Sequence, residues 1–291
     1  MMRRSIVIFV VFSVVVLLIS ILRTPSSGTS YISSGGAEAM NCTTVKWPNQ
    51  SPVQVDRYIM QINMWNLKSA SGSAEMSYCG GAFSYSQDLV DITEINPGSW
   101  VAGYPEVWIG YKPWAGLGTP ESPLPLTVSD VLKSNITISV EYKVDVPDPS
   151  LPFDFAFDIW VTKTPNQRSV GPGEQEIMIW LYHQQLNPAG TQIGEVVIPI
   201  SINGRQIGAT FKIYKQPSMP WEYIAFVLDP PLRSASISFK LADFIKAASN
   251  ATSLQNYYNM WVDDVEIGSE FGSPSMTKAS FRWTLRMEVG R

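Results

Sequence analysis

A carboxylate shares one face of a predicted strand with polarizable and aromatic side chains between residues 176 and 181. Alternation along a strand places Glu176, Met178 and Trp180 on one side and the aliphatic residues between them on the other. The aliphatic side suits a core. An acid beside methionine and tryptophan is unusual on a solvated face and is typical of a sugar-binding cleft. The pattern predicts a glycosidase, which requires a second carboxylate.

The second candidate acid lies near the C-terminus, in the run 265–272. If the aliphatic residues of this run face the core, alternation sends Glu266, Gly268 and Glu270 into the cleft. We expect Gly268 to leave room for a ligand, and partial burial of Glu270 to raise its pKa enough for a general acid. The alternative, an ordinary surface glutamate at a strand edge, stays open on this motif alone.

The strand predicted from residue 153 repeats the combination of acids with tryptophan. Its phenylalanines share one face, while Asp154, Asp158 and Trp160 share the other. If this strand neighbours that of Glu176, then Asp158 and Glu176 lie in the same cleft. The alternative is that both acidic faces simply meet solvent.

The elements that must position these acids are mostly short strands, separated by Pro, Gly and Asn. One amphipathic helix is predicted over 241–248, packed outside the sheets. About a dozen strands predict an all-β fold, a sandwich of two stacked antiparallel sheets forming one domain over residues 41–291. The predicted strands are 58–65, 74–85, 107–111, 135–146, 153–161, 176–185, 194–200, 205–214, 221–228, 235–239, 258–267 and 278–288.

Composition narrows the chemistry. The chain has 291 residues, 16% charged, with a net charge of -4, which argues against binding nucleic acid through its phosphates. The single histidine, His183, argues against a histidine-based metal site or a Ser-His-Asp triad. Strand parity places His183 with the core residues, as a structural histidine. We expect no metal and no cofactor, and the sequence implies no protein partner.

The N-terminus has the pattern of an export signal. Two arginines precede a nearly all-apolar run over 6–22, and a Ser- and Gly-rich linker follows over 24–40. Residues 1–23 are predicted to be a cleaved signal peptide or a signal-anchor, and the preceding positive charge places the rest of the chain outside. The protein is therefore expected to be secreted or anchored at the cell surface, with a possible membrane anchor at its N-terminus.

Export makes the two cysteines interpretable. Cys42 and Cys79 are an even pair in an oxidising compartment, so a disulfide is predicted. Two free thiols are the alternative.

Together these motifs resemble glycoside hydrolase family 12, the retaining endo-β-1,4-glucanases with a β-jelly-roll fold. Residues 176–181 and 268–272 resemble its two catalytic motifs. Residues 63–66 are similar to its Asn-x-Trp-Gly motif, with asparagine replacing the usual glycine. Residues 103–114 are similar to a segment of thermophilic members, and the cysteines and the helix also match. The resemblance covers nearly all of residues 41–291.

The resemblance implies a role for each matching residue. Glu176 is expected to be the nucleophile and Glu270 the general acid and then the base. Asp158 is expected to hydrogen-bond Glu176 and modulate its protonation. A groove for a polymer needs aromatic residues at intervals, and some of these are expected at the cleft rim. The expected substrate-binding residues are Asn63, Trp65, Met178, Tyr104, Trp108, Tyr111 and Trp114.

The expected activity is hydrolysis of internal β-1,4 bonds in cellulose or another β-glucan by a retaining double displacement. An enzyme tuned to xylan or xyloglucan would use the same machinery, so it remains an alternative. A non-catalytic carbohydrate-binding jelly roll is the alternative from another class. Loss of one carboxylate would indicate it, yet both carboxylates are present.

Overall fold

The computed structural model describes residues 42–98, 101–217, 220–274 and 276–290. The leader and linker predicted within residues 1–40 lie outside this part of the chain. All described residues belong to one compact unit. Within these ranges, no helix has the length and apolar character needed to cross a membrane.

The described chain is nearly all strand, since β-branched and aromatic residues recur at alternate positions between turns. A 3₁₀ turn, Tyr257–Asn259, accompanies two α-helices, α1 (Val128–Lys133) and α2 (Leu241–Ala251). The strands are β1 (Thr43–Lys46), β2 (Val53–Val55), β3 (Tyr58–Gln61), β4 (Leu67–Cys79), β5 (Ala82–Glu94), β6 (Glu106–Lys112), β7 (Leu117–Gly118), β8 (Leu126–Thr127), β9 (Thr137–Asp145), β10 (Phe153–Thr162), β11 (Gln175–Gln184), β12 (Thr191–Ile202), β13 (Arg205–Gln216), β14 (Glu222–Asp229), β15 (Ser234–Lys240), β16 (Trp261–Val262), β17 (Asp264–Gly268) and β18 (Lys278–Gly290).

The strands form two facing layers. The layers are joined where β12, at the edge of one, pairs with β13, at the edge of the other. One layer has the order β1-β4-β5-β18-β9-β15-β12, and the other has the order β13-β14-β11-β10-β17-β6-β3-β2. Tyr142 of β9 stacks on Phe155 of β10 with ring centroids 5.1 Å apart. Phe157 of β10 meets Phe239 of β15 at 5.4 Å. These contacts confirm the predicted all-β sandwich, a β-jelly roll.

One pairing departs from the predicted antiparallel arrangement. Strand β11 runs parallel to β14, with Glu176 opposite Tyr223. Its other neighbour is β10, paired antiparallel with Asp158 opposite Met178. The two acid-bearing strands are therefore neighbours, which was the condition for a shared cleft.

The side-chain alternation predicted for β10 and β11 is confirmed. The alternate residues Phe153 to Ile159 and Ile177 to Leu181 are buried in the core between the layers. The intervening residues form a second buried cluster on the opposite face, which includes Ala156, Met178 and Trp180.

The predicted strand 74–85 is instead two strands joined by a hairpin. Gly80 and Gly81 both have positive φ, 55° and 77°, and a two-residue turn with positive φ at both positions matches the twist of the flanking strands. The cysteine before this turn forms the predicted disulfide, with the Cα atoms of Cys42 and Cys79 4.6 Å apart.

The predicted helix is confirmed as α2, and its Phe244 packs on phenylalanines of β13, β14 and β15. Helix α1 was not predicted. Its signal is the N-cap Thr127, whose hydroxyl accepts a hydrogen bond from the amide of Asp130 at 3.1 Å.

Candidate active site

A cavity of about 610 Å³ lies on the face of β10 and β11 that points away from the core. Both predicted catalytic glutamates line it, so the structure brings the acids of distant sequence segments together. Of the residues predicted from sequence, it is lined by Asn63, Trp65, Tyr104, Trp114, Asp158, Glu176, Met178 and Glu270.

Glu176 lies at the beginning of β11 and is 8% exposed. The indole N–H of Trp221 donates a hydrogen bond to Glu176 Oε2 at 2.5 Å. Burial and the Glu270 carboxyl raise the pKa of Glu176 to about 8, against the opposing effect of the Trp221 donor. Two influences therefore oppose each other at Glu176: burial and a neighbouring acid raise its pKa, and the Trp221 donor lowers it.

Glu270 follows β17 and is held by Asp154 of β10. The Glu270 amide donates to Asp154 Oδ1 at 3.1 Å, and the Asp154 amide donates to the Glu270 carbonyl at 3.0 Å. Burial and the Asp154 carboxyl raise the pKa of Glu270 well above its usual range. Burial also raises the pKa of Asp154, to about 7. This environment favours a protonated Glu270, as a general acid requires.

Asp158 lies in the cavity wall, but its expected hydrogen bond to Glu176 is not present in the described part of the chain. The β10–β11 register pairs Glu176 with Trp160, which leaves Asp158 diagonal to it. Asp158 Oδ1 is buried without a hydrogen-bond partner among the described residues. Burial and the charge of Glu176 raise the pKa of Asp158 well above its usual value. The hydrogen bond that the structure does show at the Glu176 carboxylate comes from Trp221.

An ionic cluster lies at the cavity floor, where Lys112, which lines the cavity, contacts the two fully buried glutamates Glu106 and Glu266. The Lys112–Glu106 distance, Nζ to Oε2, is 2.8 Å, and both ends are nearly completely buried. The prediction that Glu266 points into the cleft was wrong. It is fully buried and accepts hydrogen bonds from Lys112 and from the Trp160 indole, the latter at 3.1 Å. A buried carboxylate needs such partners, since an unpaired one is strongly destabilising.

Gly268 allows close packing of the backbone and does not leave room for a ligand as predicted. A Cβ atom at Gly268 would lie 2.3 Å from the carbonyl oxygen of Pro105 and 2.9 Å from Cα of Glu106. Only glycine therefore permits β17 to approach β6 at this point.

Asn63 and Trp65 both line the cavity. The Asn63 amide nitrogen donates to Glu106 Oε1 at 2.8 Å, which fixes the orientation of the amide. Trp65 is 47% exposed and offers its ring to a ligand. The next residue, Asn66, is fully buried and bridges two loops, donating to the Val101 carbonyl at 3.0 Å and accepting from the Asn96 amide at 2.8 Å. The asparagine that replaces the family glycine is thus a local brace.

The other predicted lining residues differ in exposure. Tyr104 is buried and donates its hydroxyl to the Ala156 carbonyl at 3.0 Å. Trp114 is 48% exposed at the rim and contacts the ring of Trp221, with centroids 5.7 Å apart. Met178 is buried on the cavity face of β11. Its position beside Glu176 agrees with the alternation predicted for this strand.

Two predicted rim residues lie elsewhere. Trp108 is fully buried under the floor, with the Lys112 ammonium 5.7 Å from its ring centroid. Alternation shows which face a side chain occupies but not what covers it. Tyr111 lies two residues after Ile109, on the same side of β6 as the core residues Val107 and Ile109, and it pairs with Gly118 of β7; it does not line the cavity.

His183 also departs from its predicted direction. A bulge in the β10–β11 pairing, between Phe155 and Ala156, interrupts the alternation that was extrapolated to this residue. Its ring lies 5.7 Å from that of Trp180, and Nδ1 is 3.1 Å from the Leu186 carbonyl oxygen. The histidine is structural, as predicted, but it packs beside a residue of the cavity wall.

Three contributors to the site were missed by the sequence analysis: Trp221, Asp154 and Lys112. Asp154 was placed on the cavity face but given no role, and the alternation of β10 was its signal. Trp221 carried no comparable signal, because it directly precedes β14, a strand that pairs in parallel with β11 and is remote from it in sequence. Among the described residues, no group of three or more His, Cys, Asp or Glu side chains is placed to hold a metal ion.

A carboxylate-lined cavity on one face of a β-jelly roll, with exposed tryptophans in its lining, is the arrangement of a glycoside hydrolase of the jelly-roll class. The sequence matches Glycosyl hydrolase family 12 over residues 56–287. The chain belongs to this family.

Individual proteins that resemble this chain in sequence or in fold are also glucan-degrading enzymes by name. The chain is similar to Endoglucanase S of Pectobacterium parmentieri, at 27% identity over 173 residues. That match covers 58% of this chain and 60% of the relative, so the chain spans about three-fifths of the relative's length. The endoglucanase cel12A of Rhodothermus marinus superposes with a TM-score of 0.64 and 22% identity, over 85% of this chain and 99% of that one. A family 12 xyloglucanase of Bacillus licheniformis gives 0.65 and 21% over the same shares.

Proposed function

We propose that the protein is an endo-β-1,4-glucanase that cleaves internal bonds of a β-glucan with retention of configuration. The observation that carries the proposal is that Glu176 of β11 and Glu270, which follows β17, line one cavity together with Asn63 and Trp65. Family membership supports hydrolysis of glycosidic bonds. The similarity to Endoglucanase S supports a β-glucan as the substrate class.

The proposed mechanism has two displacements. The Glu176 carboxylate attacks the anomeric carbon as the bond to the leaving oxygen breaks, and Glu270 gives its proton to that oxygen. In the second step Glu270, now a carboxylate, takes a proton from water. The water oxygen attacks the same carbon, and the Glu176 carboxylate departs. Two inversions give net retention.

The surroundings of the acids support this division of roles. Glu176 receives the Trp221 N–H, which stabilises its ionised form, while Glu270 lies beside the acidic Asp154. The two glutamates repel each other when both are charged, so their protons are lost in sequence. Glu176 is the acid expected to ionise first. The Trp221 N–H donates to its carboxylate, whereas the group beside Glu270 is another acid, Asp154.

The proposal is tested by reducing-sugar release from a panel of carboxymethylcellulose, mixed-linkage β-glucan, xyloglucan and xylan. Cleavage of the unbranched glucans, with the β-anomer appearing first in NMR spectra of fresh digests, is expected. Early α-anomer would contradict the retaining mechanism. Preference for xyloglucan or xylan would change the substrate assignment, and binding without any cleavage would indicate a non-catalytic module.

We also propose that the protein is exported. The apolar run within residues 1–23 supports export, and so does the disulfide, since such bonds persist in oxidising compartments. Mass spectrometry of the N-terminus of protein recovered from culture medium tests this. A chain retained in the cytosol with its first residues intact would contradict it.

A further inference from the structure

We propose that Trp221 is a positioning residue for the reaction, which holds Glu176 Oε2 through its indole N–H and directs the other carboxylate oxygen at the sugar. This inference rests on the proposed nucleophilic role of Glu176. It gives to a tryptophan the kind of contact with Glu176 that the family resemblance implied for Asp158.

The contact between Trp221 and Glu176 fixes one of the two carboxylate oxygens. Trp221 Nε1 lies 2.5 Å from Glu176 Oε2 and both side chains line the same cavity. Within the described part of the chain, this is the one hydrogen bond that the structure gives the Glu176 side chain. An indole N–H can only donate, so it pairs with the ionised carboxylate in either protonation state of the neighbouring acids. One oxygen is thereby fixed and the other is left for the attack.

The ring of Trp221 is itself held by other tryptophans. Its centroid lies 5.4 Å from that of Trp160 and 5.7 Å from that of Trp114, with the planes inclined at 82° and 52°. Trp160 is tied in turn to the buried cluster, through its indole N–H to Glu266. Edge-to-face aromatic packing of this kind restricts ring rotation.

The backbone beside Trp221 is also fixed. The following residue, Glu222, accepts hydrogen bonds from the amide and hydroxyl of Ser253, at 2.9 and 2.5 Å, and contacts Lys215 at 2.9 Å. The Gln175 amide donates to it at 2.6 Å. Gln175 directly precedes Glu176, so one network anchors both partners of the Trp221–Glu176 contact.

The charges around Glu176 oppose its ionisation, and the neutral N–H of Trp221 favours it. Among the described residues, the titratable groups coupled electrostatically to Glu176 are mostly acids, which oppose its ionisation, together with a lysine, Lys112, which favours it. Those groups are Asp154, Asp158, Glu266, Glu270, Lys112 and Tyr223. Removing the indole N–H would remove the hydrogen bond that lowers the pKa of Glu176 against the effect of these acids.

The test compares W221F with W114F in the full-length protein, using an aryl cellobioside and measuring kcat and KM across pH. W221F removes the N–H and keeps an aromatic ring, so we expect kcat to fall about 10- to 100-fold. The acidic limb of kcat/KM should move up by about one pH unit, because loss of a donor raises the pKa of Glu176. W114F alters the same aromatic cluster without touching Glu176, so KM should rise while the acidic limb stays in place.

A second replacement removes ambiguity from ring size. Incorporating β-(3-benzothienyl)alanine at position 221 exchanges the N–H for sulfur in a ring of nearly the same shape. The same upward shift of the acidic limb is expected. An unchanged acidic limb in this variant, with the wild type active, would overturn the positioning role. Absence of hydrolysis by the wild type would instead overturn the proposed function.

Discussion

Glu176 and Glu222 are two buried glutamates on neighbouring strands whose pKa values are displaced in opposite directions. At Glu222, burial is outweighed by the hydroxyls of Ser253 and Thr252, the Ser253 amide and Lys215, which lower its pKa to about 2. At Glu176, burial and Glu270 outweigh a single donor and raise the pKa to about 8. The number of donors separates a carboxylate that fastens the fold from one that is poised for chemistry.

The two glutamates therefore predict opposite consequences when neutralised. Replacing Glu222 should harm stability more than the chemical step, and replacing Glu176 should do the reverse. Sites selected for chemistry keep unfavourable electrostatics that a structural site would not retain.

The largest expected effect is on the activity of E176Q. An amide cannot form the glycosyl-enzyme ester, so kcat should fall by a factor on the order of 10⁴ or more. Oligosaccharide binding should be close to wild type, and so should the melting temperature at about pH 4.5, where Glu176 is protonated in the folded protein. Reducing-sugar assays with calorimetry measure both. E195Q, at an exposed glutamate of β12, is the matched control and should retain wild-type activity.

The next effect is on the stability of E222Q. Losing the charge of a carboxylate with four neighbouring partners should lower the free energy of unfolding by about 3 kcal/mol, while kcat falls far less than in E176Q. Denaturant unfolding with E195Q as control measures the loss. A stability equal to that of E195Q would remove the contrast between the two glutamates.

The pH dependence of stability should separate the two sites by window. Glu222 has a lowered folded-state pKa, so its contribution is complete above its ordinary value of 4.5 and is lost as pH falls towards about 2. Glu176 has a raised folded-state pKa, so its contribution is complete below 4.5 and is lost as pH rises towards about 8.

Unfolding curves at several pH values check this assignment. The stability of E176Q relative to wild type should increase as the pH rises from 4.5 towards about 8. The deficit of E222Q should shrink as pH falls from 4.5 towards about 2. Parallel curves for the two variants would contradict the opposite displacements.

The smallest effect is expected for N66G, which restores the family residue at the brace beside Trp65. Losing the side-chain hydrogen bonds to the loops at 96 and 101 should lower the free energy of unfolding by about 1 kcal/mol. Because Trp65 is proposed to contact the substrate, KM should rise about two- to threefold with kcat unchanged. N66S, which keeps a polar side chain, should lie between N66G and wild type. A KM equal to wild type in N66G would show that the brace does not influence Trp65.

Alternation in the sequence predicted the local arrangement of the site well. It placed Glu176 with Met178 and Trp180, and it separated the phenylalanines of β10 from its aspartates, because both strands are regular over these residues. It failed at His183, where a bulge breaks the period of two.

Alternation along the sequence could not predict how deeply a side chain is buried or which distant strands pair. Trp108 and Glu266 face the predicted side of their strands, but Lys112 covers both of them, so they lie under the cavity floor. Alternation predicts the face of a side chain and not what packs on top of it. Trp221 reaches Glu176 through the parallel pairing of β11 with β14, and no local pattern encodes that neighbour.

The central claim, that Glu176 is the nucleophile, is tested most directly by trapping the intermediate. A 2-deoxy-2-fluoro-β-cellobioside with a dinitrophenolate leaving group slows the second displacement, so the ester should accumulate. Peptide mass spectrometry should then find one fluorocellobiosyl group on Glu176 in the wild type and none in E176Q. A label on Glu270 or Asp158 would contradict the account.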